Sequence, residues 1–225
     1  MLICGIDTET TGLDPQNDRV IEIGAVLWES TTNSPKKILS QLVKSTLSLN
    51  PEAQKVNGIT KEDLELYGVA PATAALCLTE IMQTADYIMG HNCKKFDIPF
   101  LTAEFDKVGF KFPSLPVIDT LTDIKYDHGD LSRRLSHIAA AHGIINPFPH
   151  RAVFDVFTML KVASMHNIDE IIKRAITPSK IVKAIVTYDH RHLAKENGFH
   201  WDGKSWIKEI KNDDVEQYPF PTVVV

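Results

Sequence analysis

The sequence predicts an α/β protein: a mixed sheet flanked by helices, followed by a small C-terminal α+β appendage. Three observations predict it. Branched apolar runs bounded by turn residues fill the first 43 positions, helical and strand patterns alternate from Pro51 to His166, and a basic, Trp-containing segment follows Pro178. The 225 residues suffice for one large domain and one small one, expected at 1–175 and 176–225.

Each element has a local reason. Leu2 to Ile6 reads as a short buried strand, with the turn residues Gly12, Asp14 and Pro15 beyond it. RVIEIGAVLW (Arg19 to Trp28) and KKILSQLV (Lys36 to Val43) read as the next two strands, and the TTNSP between them turns the chain into an antiparallel meander. Pro51 starts a short helix, and Thr60 with Asp63 forms a capping-box pattern that opens another. Pro71 to Ala85 carries apolar residues at helical spacing. DYIMGHN is a fourth strand, followed by a helix through DIPFLTAEFDKVG that Gly109 closes, and LPVID is a fifth strand ending at Asp119. LSRRLSHIAAAHGI, from Leu131, is an amphipathic helix stopped at Gly143, and a last long helix is expected from Ala152 to His166.

Composition narrows the class. Apolar and charged fractions of 44% and 24% are those of an ordinary globular protein. No apolar run is long enough to span a bilayer and no basic-then-apolar leader opens the chain, so no membrane partner is expected. Cys4, Cys77 and Cys93 are scattered, which argues against a disulfide framework and for a reducing, cytoplasmic setting. The net charge of −5 is uneven: residues 166–211 carry +3 and the remainder −8, so a polyanionic partner is not excluded.

The acidic excess includes a pattern with chemical content. In DTET, Asp7 and Glu9 stand at i and i+2 of a strand and therefore share a face. Like charges held so close are unfavourable unless a proton or a cation lies between them, and a divalent metal is the simplest resolution. D-x-E alone is equally compatible with a strand end and a solvated turn acid. Two further acids occur in suggestive contexts: Asp97 in the first turn of a helix, within HNCKKFD, and Asp155 in HRAVFD, five residues after His150.

The ordered set DTETTG, N-x-x-x-F-D (Asn92, Phe96, Asp97) and H-x-x-x-x-D (His150, Asp155) resembles the DnaQ-like, DEDDh 3′–5′ exonuclease family. NGIT (Asn57 to Thr60), VIDTL (Val117 to Leu121) and LSHIAAAHGI (Leu135 to Ile144) also resemble that family, over roughly residues 1–166. The resemblance implies a ribonuclease H-like mixed five-stranded sheet. It also implies that Asp7, Glu9, Asp97 and Asp155 bind two Mg²⁺ or Mn²⁺ ions through hard oxygen ligands, and that His150 is the general base. On a helix, positions five apart differ by about 140°, so His150 is expected in the loop before the helix that carries Asp155. A sister class has Tyr four residues before the last acid; Arg151 stands there, which excludes it.

By the same resemblance, Thr10, Thr11, Gly12 and Leu13 would cradle the 3′ end, although Gly12 also reads as a turn glycine. His91 and Asn92 either line that pocket or fix the strand end through local hydrogen bonds. Glu22 and Asp119 read as structural acids, Asp119 as a helix cap. The implied substrate is the 3′ end of a single-stranded nucleic acid, with DNA favoured and RNA the alternative. A polymerase or another replication or repair protein is the implied partner, although no docking segment for one is visible. A catalytically silent binding protein would be indicated by loss of an acid or of His150; all five residues are present.

The C-terminal segment reads as strand, helix and hairpin. Asp202-Gly203 signals a two-residue turn, which would pair Trp201 with Lys204 and Phe199 with Trp206. AKENGFHWDGKSWIK resembles a small module found in assorted bacterial and phage proteins. Its aromatic residues are either a stacking platform for single-stranded nucleic acid or the small unit's own core. The YPFPTVVV tail reads as a flexible or docking strand.

Overall fold

The computed structural model describes residues 1–126, 132–214 and 217–225. The chain divides into two compact units, Met1–Ala175 and Ile176–Val225.

In the first unit, β1 (Leu2–Thr10), β2 (Val20–Glu29) and β3 (Ser34–Leu42) form the expected antiparallel meander. Two short strands, β4 (Tyr87–Gly90) and β5 (Val117–Asp119), add in parallel on the other side of β1. The five-stranded order is β3-β2-β1-β4-β5, a mixed sheet. Helices cover both faces because β1 and β2 are buried on both, which explains their nearly continuous apolar composition.

On one face, Cys4 and Ile6 of β1 pack with α3 (Pro71–Met82) and α4 (Asp97–Lys107) through Leu78, Phe100, Leu101 and Phe105. On the other, Ile3, Val26 and Trp28 meet α7 (Ala152–Ala163) through Val156, Met159 and Leu160. The unit also contains α1 (Pro51–Asn57), α2 (Lys61–Tyr67) with the expected Thr60–Asp63 capping box, and the short α5 (Thr120–Asp123).

Two glycines set the depth of α7. A Cβ on Gly5 would stand 2.8 Å from the side chains of Val156 and Leu160, and one on Gly24 would stand 2.4 Å from the backbone of Ala152 and Val153. Gly24 pairs with Asp7 across the β1–β2 ladder, so the first turn of α7 lies against the sheet beside that acid. The helix shares a face with Asp7 and Glu9 because it can come so close.

Several helices differ from expectation. α6 spans Leu135–Ala141, shorter than expected, because Ser132 to Arg134 are not helical; the expected start at Leu131 lies outside the described residues. α3 and α7 end three residues early. A further helix, α8 (Ile168–Ile176), went unread although Ile168, Ile171, Ile172 and Ala175 carry helical spacing and pack into the core around α7.

In the second unit, β6 (Ser179–Ala184) pairs antiparallel with β8 (Trp206–Lys211) on one side and with β9 (Thr222–Val224) on the other. β9 is the tail, here a docked strand. β7 (His200–Trp201) completes the order β7-β8-β6-β9, and α9 (Arg191–Glu196) precedes it. The hairpin register differs from expectation: Trp201 pairs with Trp206 and His200 with Ile207. The Asp202 carboxylate accepts hydrogen bonds from the Lys204 and Ser205 N–H groups, each 2.7 Å, and the Asp202 N–H donates to the Ser205 carbonyl. That side-chain cap makes a four-residue loop more favourable than a two-residue turn.

Gly24→Ala is expected to push α7 off the sheet at a cost of about 1–3 kcal/mol, typical of an overpacked core. Thermal denaturation should show a melting point lower by several degrees; an unchanged one would mean that the helix tolerates a looser seat.

Candidate active site

The C-terminal ends of the parallel strands β1 and β4 meet the N-terminal ends of α4 and α7 at one edge of the first unit. Ligands commonly bind at such strand ends in open α/β sheets. Strand alternation puts Asp7 and Glu9 on the α7 face, opposite Gly24 and Glu22 of β2. Asp155, in the first turn of α7, joins them, and Glu9, His150 and Asp155 each offer a ligand atom within 4.8 Å of the others. Asp97 opens α4 and is 2% exposed; its Oδ1 accepts a 2.7 Å hydrogen bond from the Thr8 hydroxyl.

The electrostatics follow from this crowding. Burial, then the charges of Asp97, Asp155 and Glu9, hold the Asp7 carboxyl well above the usual carboxylate range. Burial, followed by Asp155 and Glu22, pushes Glu9 up to about 8, against an opposing hydrogen bond from Asn57. Burial pushes Asp97 up to about 7, with the Thr8 bond opposing. Burial also raises Asp155, and the His150 N–H opposes it. A set of hard oxygen donors that resist ionising together fits divalent cations, which would supply the missing positive charge.

His150 lies before α7, as expected from its spacing to Asp155. Its backbone is left-handed (φ 63°) and its N–H donates to Asp155 Oδ2 at 2.8 Å, while its side chain remains exposed. Asn146 was not read from the sequence: its Nδ2 donates to Asp155 Oδ1 at 2.7 Å and its Oδ1 receives the Phe148 N–H. The 146–150 loop is thus tied to Asp155 at both carboxylate oxygens.

Glu22 is 1% exposed and is held by Arg151 (2.9 and 3.2 Å) and by the Ala152 N–H (3.0 Å). It anchors the start of α7. Its only sequence signal is an acid within the apolar run VIEIGAV.

The remaining expected residues divide by their bonds. Thr10 Oγ1 donates to the Gly12 carbonyl, and Thr11 is bound to Asp18 and Arg19 through its hydroxyl and to the Arg19 carbonyl through its N–H. A Cβ on Gly12 would stand 2.4 Å from the Asp18 carboxylate, so this glycine is required by the loop itself. Leu13, 84% exposed, is the apolar side chain this loop presents to solvent. Both His91 ring nitrogens are engaged, with Thr120 Oγ1 and the Arg133 carbonyl at 2.9 Å each. Asn92 adopts a left-handed conformation (φ 63°), and its N–H donates to Asp119 Oδ1. Asp119 also caps α5 through the Leu121 N–H, and Lys94 pairs with Asp123 at 2.7 Å. A cavity of ≈ 560 Å³ bordered by Lys44, Leu64 and Lys107 contains none of these acids, so chemistry rather than volume locates the site.

A family model described as "Exonuclease" matches residues 4–163. The chain belongs to the exonuclease family. Its ordered acids and His150 put it in the DEDDh class with the ribonuclease H-like fold. Among curated relatives, a PolC-type DNA polymerase III of Ureaplasma parvum is 30% identical over 159 residues, 69% of this chain and 11% of that protein. A DNA polymerase III subunit epsilon of Treponema pallidum is 30% identical over 154 residues, 66% of this chain and 68% of that protein. The chain thus spans about a tenth of the length of the PolC-type relatives it matches. Among solved structures, E. coli Exonuclease I with a dT13 oligonucleotide aligns with a TM-score of 0.66 at 18% identity, covering 82% of this chain and 48% of that one. The nuclease domain of 3'hExo, a DEDDh family member bound to rAMP, aligns at 0.61 and 18% identity, covering 73% and 90%. These two likenesses establish the fold. A second model, a domain of unknown function, matches residues 180–225. Among the described residues, no helix is long and apolar enough to cross a membrane.

The raised carboxyls make a pH prediction. Folded Glu9 and Asp97 hold protons up to about pH 8 and 7, whereas the unfolded chain releases them near pH 4. Between those values the folded state binds more protons, so metal-free stability falls as pH rises. Mn²⁺ or Mg²⁺ should therefore raise the melting temperature more at about pH 8 than at about pH 6, relative to EDTA, and Asp7→Asn should raise the melting temperature in EDTA. Equal metal-induced shifts at both pH values would contradict the charge-crowding account.

Proposed function

We propose that the chain is a divalent-metal-dependent 3′–5′ exonuclease that removes 5′-mononucleotides from single-stranded DNA, with RNA the alternative substrate. The observation that carries this reading is the convergence of Glu9, His150 and Asp155 within 4.8 Å, beside Asp7 and Asp97, at the end of the sheet. Asp7, Glu9, Asp97 and Asp155 would hold two Mg²⁺ or Mn²⁺ ions. When bound, such ions supply Lewis-acid neutralisation of the phosphate charge and favour deprotonation of water.

The chain's own residues do the rest. His150, exposed on its loop beside Glu9 and Asp155, accepts the proton of the attacking water. The water oxygen bonds to phosphorus as the bond to the 3′ oxygen of the penultimate nucleotide breaks, and the freed 3′ oxygen is protonated. The 146–150 loop, tied to Asp155 through Asn146 and the His150 N–H, keeps the base in reach. Leu13 offers an apolar surface for the terminal base, on a loop that Thr10, Thr11 and Gly12 hold in shape. His91 and Asn92 act as positioning residues through their bonds to Thr120 and Asp119. In this reading residues 1–175 are the nuclease domain and 176–225 an accessory module.

DNA is favoured because the relatives include DNA polymerase III chains and the solved neighbour carries dT13; those relatives also motivate a polymerase or other replication or repair protein as partner. Digestion of matched 5′-labelled single-stranded DNA and RNA should give ladders shrinking from the 3′ end with Mg²⁺ or Mn²⁺. EDTA and Asp7→Ala should abolish them, and His150→Ala should slow them about 10²–10⁴-fold, the typical contribution of a general base. The faster substrate decides DNA against RNA. Intact strands under every metal condition, with binding retained, would overturn the enzyme reading.

A further inference from the structure

The second unit has more aromatic side chains than its core uses. Its core is Val182, Ala184, Ala194, Phe199 and Ile210, closed by the half-buried Trp206, Tyr218 and Phe220. Gly198 (φ 79°) ends α9 and turns Phe199 inward, where it is 3% exposed and packs edge-on against Tyr218 and Phe220 at 5.0 and 5.4 Å. Trp201 and Tyr188 remain outside, 55% and 77% exposed. Apolar rings of that size in solvent call for a reason beyond folding.

Their surroundings supply one. The observed hairpin register makes Trp201 and Trp206 a cross-strand pair on one face, with ring centroids 5.9 Å apart. The Trp206 side chain walls a cavity of ≈ 360 Å³ whose other lining residues are Asp189, Arg191, His192 and Lys195. Arg191 and Lys195 are one helical turn apart on α9 and both exposed, so the cleft is lined by two cations and one acid. The Arg191 guanidinium also lies 3.7 Å from the centre of the Tyr188 ring, which fixes a flat cationic surface beside the cavity.

We infer that the exposed Trp201 ring, beside Trp206, and the adjoining Arg191–Lys195 cleft bind single-stranded nucleic acid, the Trp201 ring stacking on a base while the cations meet the neighbouring phosphates. A single strand repeats this combination of a π-face and an anion at every nucleotide, and its bases are unpaired and free to stack. An acidic peptide would satisfy the cations and leave the tryptophans unused. The inference rests on the nuclease reading of the first unit only in its choice of ligand. A tethered site of this kind raises the local concentration of strand for the unit that consumes it.

The test uses the full chain in EDTA, where metal-dependent digestion stops, and the second unit's share of binding is read from its own variants. The anisotropy of a labelled oligo-dT should show about a tenfold loss of affinity for Trp201→Ala, within the range of one stacked base, with Trp201→Phe restoring most of it. Arg191→Ala with Lys195→Ala should lower the salt dependence of log K by about 1.4, as expected for two single-strand phosphate contacts. With Mg²⁺, Trp201→Ala should leave turnover of a trinucleotide unchanged and slow degradation of the long strand. Unchanged affinity and salt slope in all three variants would overturn the inference, as would an acidic peptide displacing the oligonucleotide while losing its own binding in Trp201→Ala. Loss of binding in these variants from a chain that hydrolyses nothing would sink the nuclease reading and leave this one standing.

Discussion

Acidic side chains crowd the end of the sheet where β1 and β2 run side by side, and the surrounding structure is arranged around that cost. Asp7, Glu9 and Glu22 share one face, and Asp97 and Asp155 arrive from the first turns of α4 and α7. Helix N-termini carry partial positive charge, so both helices deliver an acid where their own dipoles favour it. The dipoles soften the repulsion without removing it, since Asp7, Glu9, Asp97 and Asp155 are all pushed upward. Such a cluster persists because the scaffold is rigid enough to hold it: the sheet is buried on both faces and α7 is seated on glycine.

The seat of α7 joins packing to chemistry. Its side chains meet Gly5 and its first backbone turn meets Gly24, so the helix approaches the sheet more closely than a Cβ would permit. The same turn carries Asp155, whose oxygens collect Asn146 and the His150 N–H. A displacement at Gly24 would therefore reach the exposed imidazole through one helical turn and one loop. Loops of this kind carry function because a fixed scaffold positions them.

The five motif residues stood out through the ordered resemblance to a family pattern, and the placement of Asp7, Glu9 and His150 also rests on local information. Strand alternation fixes the shared face of Asp7 and Glu9, and the 3.6-residue helical period puts His150 outside α7. The meander, the capping box at Thr60 and the helix stop at Gly109 were legible for the same reason. What escaped depends on contacts distant in sequence or on side chains competing for backbone groups. Arg151 meets Glu22 across 129 positions, so that pair needs the β1–β2 register and the seat of α7 together. Asn146 reads as an ordinary loop residue until Asp155 is beside it. The hairpin slipped from its expected register because Asp202 caps two N–H groups that a two-residue turn would leave to the ladder. α8 was the exception, a regular amphipathic pattern passed over beside the domain boundary.

Glu9 and Glu22 show why acidity alone does not define a site. They are direct cross-strand partners on the same face of the same sheet, and both stand next to the carboxylate cluster. Glu22 is the more deeply buried, yet Arg151 and the Ala152 N–H satisfy it, and its role is to hold α7. Glu9 has Asn57 as a hydrogen-bonding neighbour and feels the Arg151 charge only from beyond the Arg151–Glu22 pair, and burial with Asp155 and Glu22 beside it still pushes its carboxyl up to about 8. Breaking a buried pair by removing one member leaves an uncompensated charge and costs far more than the pair is worth as a whole. A chain that bonds Arg151 directly to one of two adjacent acids and leaves the other its charge only at a distance has thereby divided them: Glu22 is closed into the structure, and Glu9 keeps its oxygens turned to the carboxylate cluster.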